Sequence, residues 1–157
     1  MSRVQVVYLH VCVVLTALTG IVFAAMKYLM KPAGDFSVIN HPLQPYMLSA
    51  HVVIAPFLVF GFGWLFGNHI WPKFRYGEAR KRASGLWSMA AIVPMTLSGY
   101  LLQISTEDAT RTAMAVGHWI TSGLFVIAYV GHWISRSGRA TDQSAAAAGA
   151  ANVPSPT

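Results

Sequence analysis

Histidine is the side chain that carries the most chemistry in this sequence, because of where it falls. Four of the six histidines, His10, His51, His118 and His132, lie inside long apolar stretches. Two of them share one stretch, running from Gly117-His118-Trp119-Ile120 to Tyr129-Val130-Gly131-His132-Trp133, and stand fourteen positions apart in it. Fourteen steps of about 100° end about 40° short of four full turns, so both imidazoles leave the same face of one helix, about 21 Å apart along its axis. An imidazole can ligate a metal, relay a proton or hydrogen-bond to a neighbouring helix. An ionisable group within a hydrophobic span is a functional candidate by default.

The rest of the chain has to place these side chains, and its composition says in what medium. Of 157 residues, 55% are hydrophobic and 10% charged, against about 25% charged in soluble domains. This is the composition of a membrane protein. A spanning helix needs about 20 apolar residues, so four spans use most of the length and leave no room for a soluble catalytic domain. The net charge of +6 and pI near 9.8 do not point to nucleic acid, since the basic residues sit in connectors between apolar runs and not on one face of a soluble fold. Cys12, the single cysteine, falls within the first apolar run. No intramolecular disulfide, thiolate cluster or covalent C-x-x-C-H haem attachment can form.

In chain order, the first run extends from Val4 to about Met30 and resembles a long signal peptide. It is expected to be retained, because it exceeds an ordinary signal-peptide core and no A-x-A cleavage site follows. A connector carrying Pro32, Gly34 and Pro42 leads to a second span, from about Gln44 to Phe66. The middle connector, Gly67 to Ser84, holds Lys73, Arg75, Arg80, Lys81 and Arg82 against Glu78. A third span, about Gly85 to Ile104, has no histidine, lysine or acid. A short acidic turn precedes the fourth, about Thr112 to Ile134. Residues 1–139 are thus expected to form a four-helix transmembrane bundle, and 140–157, rich in Ala, Ser and Pro, a disordered tail. The first two runs share no period indicating a repeat, and no inverted duplication is visible.

Four spans put both termini and the middle connector on one side, with Arg3, Lys73, Arg75, Arg80, Lys81, Arg82, Arg136 and Arg139. The other side has Lys27, Lys31 and Arg111. The positive-inside rule then places the termini in the cytoplasm. Under that topology His51 and His118 are level near the outer side, and His10 and His132 are level near the inner side. Bis-histidine ligation needs two imidazoles facing across a flat macrocycle, which facing helices of a bundle provide. The expectation is two stacked haems, an outer one on His51 and His118 and an inner one on His10 and His132. The plain alternative for any single histidine is a hydrogen bond across helices. Zinc is disfavoured because no carboxylate or thiolate accompanies these residues.

Gly20, Gly61, Gly63 and Gly123 lie at intermediate depths, where a missing side chain admits either a porphyrin or a neighbouring helix. His69, five turns beyond His51, and the adjacent Asn68 are candidates to contact a quinone or a haem propionate. The plain reading of His69 is an interfacial residue among aromatic anchors. His41 is expected to be a solvated loop residue, with a propionate or docking contact as its alternative. Trp64, Trp71, Trp87, Trp119 and Trp133 read as interface anchors.

This histidine arrangement resembles the di-haem cytochrome b subunits of membrane-bound formate dehydrogenases, nickel-iron hydrogenases and thiosulfate reductases. Those subunits have four core helices with one ligand on the first, one on the second, none on the third and two on the fourth, positions matched here by His10, His51, His118 and His132 over about residues 4–136. The resemblance implies two haem b groups and electron transfer across a bacterial cytoplasmic membrane, between a quinone pool and a peripheral or membrane redox subunit or a c-type cytochrome. The chain would then be an electron-transfer subunit of an oxidoreductase complex and not a self-contained enzyme. It departs from the larger members in its short loops. The rival expectations are a non-redox membrane anchor for a soluble subunit, and a small transporter or proton relay using the same histidines.

Overall fold

A computed structural model describes residues 2–32, 34, 37–67, 71–76 and 79–151, with side chains described outside 73–74, 79–86 and 135–151. The described backbone is built from five helices: α1 (Arg3–Leu29), α2 (Gln44–Leu65), α3 (Trp71–Tyr76), α4 (Ala79–Ile104) and α5 (Asp108–Ala151). Four contain segments long and apolar enough to cross a membrane: Arg3–Leu29, Gln44–Leu65, Trp87–Ile104 and Asp108–Ile134. At most 22% of each segment is buried inside the protein, and α1 alone exposes Val4, Val7, Val11, Val14, Leu18 and Ile21. An apolar surface that extensive is stable in lipid and not in water. The protein is an all-α, multi-pass membrane protein.

The chain divides into two units, Met1–Gly77 and Glu78–Thr157, and each contains one hairpin of long helices. In the first unit α1 begins with a reciprocal cap. The Ser2 hydroxyl accepts from the Gln5 amide at 3.2 Å, and the Gln5 side chain accepts from the Ser2 amide at 3.0 Å, which satisfies two donors that a helix start leaves unpaired. The α1–α2 connector is closed by the Asn40 side-chain amide, which donates to the Lys27 carbonyl at 2.7 Å. Farther along, Tyr8 locks the pair: its hydroxyl donates to the Phe57 carbonyl at 2.9 Å, and its ring packs edge-on against Phe60 and Trp64. Gly61 makes room for that ring, since a Cβ there would lie 2.8 Å from Tyr8 Cε1. Pro56 falls within α2; a spanning helix tolerates the lost backbone bond when neighbouring structure compensates.

The middle connector also contains α3, with Pro72 in its first turn, where the missing N–H costs nothing. In the second unit α4 and α5 are joined by only Ser105–Glu107. The Arg111 guanidinium donates to the Ser105 carbonyl at 3.0 Å across this turn. Asp108 stands in the first turn of α5, where its charge suits the helix dipole. Helix α5 starts four residues before the expected Thr112, and helical backbone continues through the expected tail to Ala151. The run Ala145–Ala148 has the highest intrinsic helix propensity available, so this part needs no amphipathic face to be helical.

Candidate functional site

Each hairpin holds one histidine of its second helix against the backbone of its first. In the first unit, His51 Nδ1 lies 3.0 Å from the Thr16 carbonyl and 3.3 Å from Thr19 Oγ1. The Thr19 hydroxyl spends its one proton on its own helix, on the carbonyl of Leu15 at 2.8 Å or of Thr16 at 3.1 Å, so towards the imidazole it can only accept. A carbonyl also only accepts. Nδ1 therefore carries the proton, and in the neutral ring the lone pair belongs to Nε2.

The second unit repeats this atom for atom. His118 Nδ1 lies 2.9 Å from the Met95 carbonyl and 3.3 Å from Ser98 Oγ, and the Ser98 hydroxyl donates back to Pro94 at 2.7 Å or Met95 at 3.0 Å. Both cradles end in a glycine one residue beyond the hydroxyl. A Cβ on Gly20 would lie 3.0 Å from His51 Cε1 and 3.2 Å from Nδ1; one on Gly99 would lie 3.1 Å and 3.4 Å from the same atoms of His118. Contacts that short force something to move, so these two positions are kept open for the imidazoles.

The match extends along the helices. Aligning Gly20 with Gly99 sets the buried α1 residues Leu9, Cys12, Val13 and Thr16 against Ser88, Ala91, Ile92 and Met95 of α4, all buried. Aligning His51 with His118 sets Leu58 against Phe125, the most buried of the described side chains of each helix at 2% exposed. The chain therefore carries a direct structural repeat of one histidine-bearing hairpin, which the sequence reading did not find. Its local trace is short: Leu18-Thr19-Gly20 and Leu97-Ser98-Gly99. At the carbonyl position Thr and Met are interchangeable because only the backbone is used; the Thr16 hydroxyl itself is buried without a hydrogen-bond partner.

The other histidines follow different rules. His10 Nδ1 lies 2.8 Å from the Val6 carbonyl of its own helix, which again assigns the proton to Nδ1. His132 is half-buried on α5, on the helix that carries His118. In the repeat, His10 corresponds to Met89 and His132 to Leu65, so neither has a histidine counterpart. The expected pairings, His51 with His118 and His10 with His132, each draw one residue from each unit. Asn68 and His69 lie outside the described residues. His41 Nδ1 accepts from the Leu43 amide at 3.1 Å, a local role at the start of α2. Of the four singled-out glycines, Gly20 faces an imidazole and Gly61 a tyrosine ring, while a Cβ on Gly63 or Gly123 would meet nothing within 4 Å.

Sequence reasoning missed Thr16, Thr19, Met95, Ser98 and Gly99, although the third span, empty of histidine, supplies half of the second cradle. Among the described residues, no group of three or more His, Cys, Asp or Glu side chains converges. The fold and site define a multi-pass membrane protein made of two like hairpins, each presenting an oriented imidazole. No family model, curated protein or solved structure matches the chain.

Proposed function

We propose that the protein is a di-haem b-type cytochrome of a bacterial cytoplasmic membrane, the electron-transfer subunit of a larger oxidoreductase complex. His51 and His118 would hold one haem iron, and His10 and His132 the other. The observation that carries this reading is the tautomer shared by His10, His51 and His118. An imidazole that ligates iron through Nε2 typically donates its Nδ1–H to a carbonyl or carboxylate, which fixes the ring and raises its basicity. Bound haem supplies one-electron chemistry at a potential set by its axial ligands and surroundings.

The chain's own contribution is orientation and environment. Backbone carbonyls hold three rings, glycines make room for two of them, and the apolar spans exclude water. The partners in this reading are a quinone, with Asn68 and His69 as candidate contacts, and a redox subunit or c-type cytochrome. The test is a reduced-minus-oxidised absorption spectrum of the full chain, expressed with haem supplied and purified in detergent. A b-type difference band with about two haems per chain is expected, and a protein that folds without any such band would sink the proposal.

A further inference from the structure

We infer that Thr19 and Ser98 are positioning residues for His51 and His118, two equivalent cradles that fix the tautomer and hydrogen bonding of these two imidazoles. The inference rests on the haem reading for its redox consequence, but its core concerns the imidazoles alone. It follows from three coincidences in each hairpin: a carbonyl at one position, a hydroxyl three residues on and a glycine four residues on, all directed at one ring. A serine or threonine back-bonded to its own helix is common. What is specific is that the oxygen, its proton already spent, turns its lone pair to a Nδ1–H that also reaches a carbonyl.

Two acceptors draw the Nδ1 proton away from the ring more than one does. The greater negative character would strengthen donation from Nε2 to an iron held there and lower the potential of that centre. His10 has a carbonyl acceptor from its own helix. For His51 and His118 one acceptor is a side-chain oxygen, so their tuning can be changed by substitution without altering the backbone.

Two measurements on the full chain test this. The first needs no haem: histidine nitrogen NMR on the haem-free protein in lipid nanodiscs. His51 and His118 are expected as Nδ1–H tautomers, with the Nδ1 resonance of His51 moved by Thr19→Val and restored by Thr19→Ser, and that of His118 moved by Ser98→Ala and restored by Ser98→Thr. The second is a potentiometric titration of the haem-loaded protein. Thr19→Val and Ser98→Ala should each raise the potential of the same haem, by similar amounts that add in the double variant because they act on different ligands, with the other haem unmoved. Nitrogen resonances unchanged in both variants, or a shift of the His10 and His132 centre instead, would overturn the inference. A chain that binds no haem would defeat the functional proposal while the NMR result still decided this one. Should a hydroxyl variant fail to fold, Gly20→Ala and Gly99→Ala replace it: crowding the ring at about 3 Å is expected to displace the imidazole and broaden or shift the same nitrogen resonances, and unchanged spectra would count against the cradle.

Discussion

The two hairpins are alike where they hold His51 and His118 and unlike at their other ends. In the first, Tyr8 bonds to Phe57 and fills the space left by Gly61, and the histidine at that end, His10, is on the first helix. In the second, the residue matching Tyr8 is Trp87, 70% exposed, Phe125 stacks on Tyr129 at 6.0 Å, and the histidine, His132, is on the second helix. A backbone-based cradle survives changes of side chain, as Thr16 and Met95 demonstrate. A packing arrangement built from ring shapes does not, and there the two hairpins differ. The difference assigns the shared end to a common chemical demand and the other end to separate solutions.

The sharpest way to break this comparison is to remove ligands. His51→Ala and His118→Ala should each cost the same whole haem, and His10→Ala and His132→Ala the other, read as haem-to-protein ratio and by which spectral component is lost. A different grouping would show that the structurally equivalent histidines do not serve one centre. Next in size are the matched core residues. Leu58→Ala and Phe125→Ala should each destabilise the fold by about 1–3 kcal/mol, the cavity part of the cost seen in soluble proteins without most of the water-transfer part, since the unpacked side chain meets lipid. Unfolding in mixed micelles would measure it, and a large disparity between the two would weaken the repeat. Smallest is Tyr8→Phe, expected to cost about 1 kcal/mol for the lost bond to the Phe57 carbonyl. It should speed amide exchange in α1 and α2 and leave α4 and α5 unchanged, because the lost bond lies within the first hairpin.

Much of the fold was legible beforehand. The expected spans are helices because apolar runs of spanning length, punctuated by Pro32, Pro42 and the polar turn at Ser105, leave the backbone no other way to satisfy itself in lipid. The common face of His118 and His132 followed from helical periodicity alone. The short helix α3 was not legible, since six residues bearing Pro72, Lys73 and Arg75 have the composition of an orientation signal whether or not they coil. The repeat was equally hidden, because its residues agree in burial and backbone use and hardly in identity: Cys12 matches Ala91, and Thr16 matches Met95.

The sequence by itself determined the medium, the number of crossings and which imidazoles lie inside them, because hydropathy and periodicity are local properties that any helix inherits from its own residues. Only the tertiary structure decided what each imidazole touches. The acceptors for His51 and His118 are main-chain carbonyls thirty-five and twenty-three residues away, and a carbonyl is present at every position of every chain. Which one meets a histidine is set by the register of two packed helices, in which Gly20 and Gly99 leave room for the imidazoles.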